Sequence, residues 1–260
     1  MILVATERAK TYSLYWSNVP TAVLGYQRRV FEALNRPLEQ QQLDRKAHGE
    51  WMTEVLAQAA VDEIVVFCDI DAFPLTAAAF DRAVEAAAAG AVFGLAQYAN
   101  QKSNEQLYAG PMFLAVARQT WERLGRPDLS RNARFDAGEN LSTAARAAGV
   151  PVELVMPCAS LVPRWALAGQ GVFGIGTFYG ACEYFHLFES RRKTGTNIMA
   201  AVSGDVAAGR ALDFAGYLQV AWRSERSLSA RFERLYERIR SIERQMRRRR
   251  KASRAAAAGR

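Results

Sequence analysis

The run Ile64-Val65-Val66-Phe67-Cys68 is apolar at every position and rich in β-branched and aromatic residues. A strand of that kind is buried on both faces, so it belongs in a sheet covered by further layers. It ends in Asp69-Ile70-Asp71, followed by Ala72, Phe73 and Pro74. Alternate side chains of an extended chain share a face, so the two carboxylates are expected to project together where the strand stops. Converging carboxylates invite a hard divalent cation and, through it, a phosphate.

The patterns on either side of this strand alternate between strand and helix. MILVAT reads as a first strand. Residues Thr21 to Leu34 read as a helix started by Pro20, Leu38 to Leu43 as a short polar strand, and Trp51 to Ala59 as a second helix. After the aspartates, LTAAAFDRAVEAAAAG reads as an Ala-rich helix stopped at Gly90, and AVFGLAQYA as the fourth strand. This order predicts an α/β fold: a mainly parallel, Rossmann-like sheet covered by helices, with ligands gathering at the carboxyl ends of its strands. Asp69 and Asp71 lie at such an end. Further on, YAGPMFLAVARQTWERLG reads as a strand running into a short helix, FDAGENLSTAARAAG as a loop and a helix stopped at Gly149, and VELVMPCASLVP as one strand. The glycine-rich stretch GQGVFGIGTFYG lacks a phosphate-loop pattern. It reads as a tightly turned surface segment, either a lid or a plain aromatic loop, before an extended run through YFHLFES.

Charge divides the chain in two. Residues 1–222 carry 20 Lys and Arg against 22 Asp and Glu, whereas residues 223–260 carry 14 against 4, so the net charge of +8 comes from the tail. The body therefore offers no nucleic-acid surface, and a polyanion is expected only at the C-terminus. Leu228, Phe232, Leu235, Ile239, Ile242 and Met246 recur at spacings of four and three, an apolar seam on an arginine-rich helix. The expected organisation is one catalytic domain over 1–222 and a basic amphipathic helix with an Arg/Ala tail over 223–260. No run of about 18 apolar residues marks a spanning helix. The early charges of MILVATERAK argue against a signal peptide, so a cytoplasmic chain is expected. Cys68, Cys158 and Cys182 are widely spaced and odd in number, which suggests reduced, mostly buried thiols.

Two chemistries use paired aspartates in this setting. One is metal-assisted handling of a nucleotide diphosphate. The other is an aspartyl-phosphate hydrolase, with Asp69 as nucleophile and Asp71 as acid and base. The hydrolase pattern normally follows a first strand and has Thr or Val two positions after the second Asp, where this chain has Phe73 on a third strand. A non-catalytic protein held at a membrane surface by its tail is a third reading.

ILVATE, HGEWMTEVL, VVFCDIDAFPL, YAGPMFLA, FDAGENLS and YFHLFES occur in this order over roughly residues 1–191, and together they resemble a glycosyltransferase of the GT-A fold with a DxD motif. The resemblance implies transfer of a sugar from a nucleotide-sugar donor, a UDP- or GDP-sugar, to a saccharide or lipid-linked acceptor, as in cell-surface polysaccharide synthesis. It implies that Asp71 ligates Mn²⁺ or Mg²⁺, that Asp69 contacts the ribose or the metal's water, and that His186 is the third ligand. It implies that Thr6 and Glu7 after the first strand, together with His48, face the nucleotide, and that Asp136 or Glu139 is the acceptor's base, Asp136 being preferred. Tyr108 and Gly110 would lie by the acceptor, Gly110 allowing a sugar close to the backbone. Arg8 and Lys10 are placed to meet the diphosphate. Each residue also has an ordinary reading: a half-buried His186 hydrogen-bonded in its strand, an exposed cap-like His48, a helix-capping Asp136 or Glu139, solvated Arg8 and Lys10, a loop at Thr6 and Glu7. The family's commoner Glu-Asp pair is absent near Asp136. For the tail, residues 224–254 fit the inner face of an anionic membrane, a coiled coil in a homodimer, or a solvated helix.

Overall fold

Ile64–Cys68 forms strand β3, buried at every position, near the middle of a six-stranded sheet. This is seen in a computed structural model that describes residues 6–99, 106–167 and 170–227. On one side of β3 lie β1 (Ala9–Tyr15) and then β2 (Glu39–Gln42). On the other lie β6 (Tyr108–Ala117), β5 (Val92–Gln97) and β7 (Val152–Val155), giving the order β2-β1-β3-β6-β5-β7. β1 runs parallel to β2 and β3, and β5 parallel to β7, whereas β6 is antiparallel to both its neighbours. The sheet is thus mixed but mostly parallel, and the α/β class expected from the sequence holds. The chain moves outward from β1 to β2 before returning to β3 on the other side of β1, which opens a crevice beyond the carboxyl ends of β1 and β3.

The period of two along β3 explains its unbroken apolar run. Ile64, Val66 and Cys68 enter a core with Val23, Val30 and Phe31 of helix α1 (Thr21–Ala33) and Phe80 of α3 (Ala77–Ala88). Val65 and Phe67 enter the opposite core with Trp51, Met52 and Leu56 of α2 (His48–Gln58), Trp121 of α4 (Arg118–Arg123) and Leu141 of α5 (Glu139–Ala147). α3 begins where the Thr76 hydroxyl accepts from the Ala79 N–H at 3.1 Å and ends before Gly90 at φ +92°, a left-handed stop that glycine adopts at little cost.

A second, four-stranded antiparallel sheet, not expected from the sequence, has the order β4 (Ala72–Pro74), β10 (Tyr184–Leu187), β9 (Val172–Tyr179) and β8 (Pro157–Ala166). Helix α6 (Lys193–Ala207) packs on α1 and on α7 (Phe214–Arg226). Three segments differ from expectation. Thr6 and Glu7 form a helical turn and the first strand starts at Ala9, while residues 1–5 lie outside the described residues. VELVMPCASLVP divides at Met156 between the two sheets. Most of the stretch read as a lid or loop is strand β9, buried from Phe173 onward, whose Gly174 and Gly176 admit close neighbours: a Cβ on Gly174 would stand 2.2 Å from the carbonyl oxygen of Leu161 in the paired strand β8. The apolar seam from Leu228 onward lies outside the described residues, and the boundary expected at 222 falls inside α7.

Candidate functional site

Asp69 and Asp71 converge through a turn, because the chain leaves the extended form after Cys68. The Ala72 N–H donates to the Asp69 carbonyl at 2.9 Å, and the Asp69 N–H donates to the Met112 carbonyl at 3.1 Å. The buried Gln27 amide donates to the carbonyls of Asp69 at 2.8 Å and Ala72 at 3.0 Å. The turn is thus tied to β6 through the Asp69 N–H and to α1 through the carbonyls of Asp69 and Ala72, and the two carboxylates are left to face the crevice.

The second sheet supplies the third group. β10 pairs with β4 so that His186 stands opposite Ala72, and the Leu187 N–H donates to the Asp71 carbonyl at 2.9 Å. This register brings His186 Nε2 to 3.7 Å from Asp71 Oδ1. One ligand atom from each of Asp69, Asp71 and His186 lies within 4.8 Å of the others. Burial pulls the His186 imidazole down to about 3, so it is neutral at ordinary pH, and its buried Nδ1 has no hydrogen-bond partner. A neutral imidazole is the form that binds metals. Burial pushes the carboxyls of Asp69 and Asp71 upward, and the negative charge of Asp69 adds to the effect on Asp71; the Ser190 hydroxyl and Arg191 oppose it. The side chains remain 28% and 16% exposed, so water in the crevice relieves part of that cost. Two crowded carboxylates and the neutral imidazole of His186 together make a donor set that fits a divalent cation.

His48 opens α2 and leans on Trp51, with ring centroids 5.5 Å apart, and its Nε2 lies 3.4 Å from Asp69 Oδ1. Burial holds its imidazole below the ordinary value. It divides two recesses that share Asp69 and Asp71. One, of about 190 Å³, is lined by Tyr15 at the end of β1, by Trp16 and Val19 from the segment that leads to α1, and by Ser190 and Arg191. There the Arg191 guanidinium lies 5.4 Å from the centre of the exposed Trp16 ring. The other, of about 330 Å³, is lined by Gln97, Tyr108, Asp136, His186 and Glu189 among others.

Asp136 and Glu139 separate in role. Asp136 lines the larger recess, whereas Glu139, 3% exposed, accepts the Asp136 N–H on its carboxylate at 2.7 Å. Glu139 therefore holds the turn before α5 in the manner of a capping box, with Asp136 at the crevice. No family model matches the chain, and no curated protein matches it. Tyr108 lines the larger recess, its hydroxyl pushed far above the ordinary range by burial and then by Asp136. Gly110 has another explanation than contact with a sugar. A Cβ there would stand 2.4 Å from Met112 Sδ and 2.7 Å from the Gln97 Cβ, so the glycine is needed for packing inside the sheet.

Thr6 and Glu7 are not brought to this site. They precede β1, whose Ala9 pairs with Ile64 at the start of β3, and so lie at the opposite end of the strands from Asp69. Lys10 is at that end too, 2.7 Å from the buried Glu63 carboxylate, which also accepts from the Tyr12 hydroxyl at 3.0 Å. The residues at the carboxyl end of β1 are Tyr15, its last residue, and Trp16, which follows it. Sequence reasoning missed them because it placed the strand too early, although the aromatic pair in SLYWSN just before Pro20 was a usable signal. It also missed Gln97, Glu189, Ser190 and Arg191.

Proposed function

We propose that the chain is a metal-dependent glycosyltransferase of the GT-A type, moving a sugar from a nucleoside-diphosphate donor to a saccharide or lipid-linked saccharide. The observation that carries this reading is the gathering of Asp69, Asp71 and His186 within 4.8 Å at the carboxyl end of β3, between an aromatic recess and the carboxylate of Asp136. A Mn²⁺ or Mg²⁺ ion held by these three residues would offset the diphosphate charge and make it a better leaving group. Trp16 and Tyr15 offer flat faces for a nucleobase, and Arg191 stands beside them as a cation for the phosphates. His48, kept neutral, stands beside the Asp69 carboxylate, its Nε2 3.4 Å from Oδ1. Asp136 accepts the proton of the attacking acceptor hydroxyl while that oxygen bonds to the anomeric carbon and the nucleoside diphosphate departs. Tyr108, held protonated, is a hydrogen-bond donor on the acceptor side.

The test is thermal. UDP or GDP with Mn²⁺ is expected to raise the melting temperature of the wild-type protein by several degrees, through ligand linkage. Asp71→Ala, and the nearly isosteric Asp71→Asn, should remove that rise. If neither nucleotide, nor a panel of nucleotide sugars, shifts the wild-type transition in the presence of metal, the donor site is not here.

A further inference from the structure

Two backbone irregularities bring Cys158 and Cys182 together. β8 and β9 pair with a shift of register between Pro157 and Ala159, so Cys158 is the extra residue of a bulge. Cys182 lies in the turn between β9 and β10 with φ +58°, a left-handed conformation that a non-glycine residue adopts at a cost. The turn is held firmly: the Glu183 N–H donates to the Tyr179 carbonyl at 2.8 Å, the Gly180 N–H to the Met156 carbonyl at 2.9 Å, and the Leu75 N–H to the Glu183 carbonyl at 2.7 Å. The two Sγ atoms stand 3.5 Å apart across 24 positions of sequence, with Cys158 exposed and Cys182 partly so. The third thiol, Cys68, is buried and points to the Ala72 carbonyl at 3.2 Å. The thiols are thus not the mostly buried set expected from the sequence: Cys68 is buried, Cys182 partly so and Cys158 exposed.

We infer that Cys158 and Cys182 are a reversible disulfide-forming pair, closed by exchange with a low-molecular-weight disulfide such as oxidised glutathione. The Cys158 thiolate attacks one sulfur of the small disulfide, forming a mixed disulfide and releasing one thiol. The Cys182 thiolate then attacks the Cys158 sulfur, forming the internal bond and releasing the second thiol. Two protein thiols are oxidised, one small disulfide is reduced to two thiols, and the two protons pass to the released thiolates. The order follows the surroundings: burial and the neighbouring Cys158 thiol push Cys182 up to about 11, so the exposed Cys158 meets the reagent first. The bond would fasten the start of β8 to the turn that leads into β10, four positions before His186. It does not depend on what the protein catalyses.

The experiment treats the folded, full-length, reduced protein with oxidised glutathione, alkylates remaining thiols, and reads intact and peptide masses. The expected product has lost two hydrogens, carries no glutathionyl group, yields one peptide cross-linked through Cys158 and Cys182, and retains one thiol, Cys68, on denaturation. Its melting temperature should rise by about 5 °C, as closure of an internal loop implies, and return with dithiothreitol. Cys182→Ser should keep a glutathionyl group on Cys158 that the wild-type protein sheds. Wild-type protein that stays glutathionylated without a cross-link, that pairs either residue with Cys68, or that keeps all three thiols would overturn the inference.

Discussion

At the scale of single residues, Asp136 and Glu139 stand three positions apart and do different things. Asp136→Asn keeps the side-chain shape and should leave the melting temperature nearly unchanged, while lowering turnover about 100-fold or more if the carboxylate takes a proton in the transfer. Glu139→Ala removes the acceptor of the Asp136 N–H and should lower stability by about 1–2 kcal/mol in urea unfolding. If Glu139→Ala leaves stability intact and Asp136→Asn leaves turnover intact, both roles are wrong. The paired carboxylates of Asp69 and Asp71 make a second prediction. Folding raises the Asp69 and Asp71 carboxyls above their unfolded values, so in the absence of metal the folded chain binds more protons than the unfolded one. Their contribution to stability is then fully present below about pH 4 and is lost as pH rises through the raised value. His186 and His48 act in the opposite direction, since folding lowers them, and lose stability on acidification. The carboxylate part is isolated by difference: Asp71→Asn should gain on the metal-free wild type in chemical denaturation as pH rises from 5 to 8. A gap that stays constant over that range would mean that the burial cost is already relieved by water in the crevice.

At the scale of elements, glycine separates what a sequence displays from what it conceals. Gly174 and Gly176 read as turn signals in a glycine-rich stretch, yet they sit in β9, where the backbone of the paired β8 leaves no room for a side chain at Gly174 and the Phe185 ring crowds Gly176. Gly174→Ala would drive a methyl group into the Leu161 carbonyl and should cost about 2–3 kcal/mol. Gly25, on the exposed side of α1, meets no atom within 4 Å of an added Cβ, so Gly25→Ala should stabilise by about 0.5–1 kcal/mol in the same urea titration. Equal effects would show that β9 yields where the packing says it does not. The same contrast explains which elements were legible. β3 and α3 announce themselves, one by an apolar run that feeds two cores and the other by a capping Thr76 and a stop at Gly90. β1 does not, because its inward residues include Thr11 and Ser13, which are buried and polar, while MILVA beside it is far more apolar. That displacement put the expected nucleotide contacts at Thr6 and Glu7, whereas the residues at the carboxyl end of β1 that line a recess with Asp69 and Asp71 are Tyr15 and Trp16. Asp69, Asp71 and His186 were legible as residue types, but their meeting depends on the β4–β10 register across more than a hundred positions, which no local pattern encodes.

At the scale of the whole molecule, site and charge are separable. Among the described residues, those that line the two recesses fall between Leu14 and Arg191, and those of both core clusters end at Ala221. The 14 basic and 4 acidic residues of 223–260 lie beyond them. No helix among the described residues is long and apolar enough to cross a membrane. What the body offers at its C-terminal end is α7, with Leu218 and Trp222 exposed one turn apart and Arg226 stacked 4.5 Å from the Trp222 ring. An apolar pair flanked by cations suits an anionic interface, and the basic excess that follows supplies attraction of about 1 kcal/mol per residue near such a surface. Removing residues 228–260 should therefore leave the metal-dependent nucleotide shift unchanged while abolishing co-sedimentation with vesicles containing phosphatidylserine. Trp222→Ala in the full chain should weaken sedimentation several-fold and leave its dependence on salt, because it removes insertion and keeps the charge. A truncated chain that still sediments would place attachment on the body of the protein. One that no longer responds to nucleotide and metal would mean that the tail completes the site.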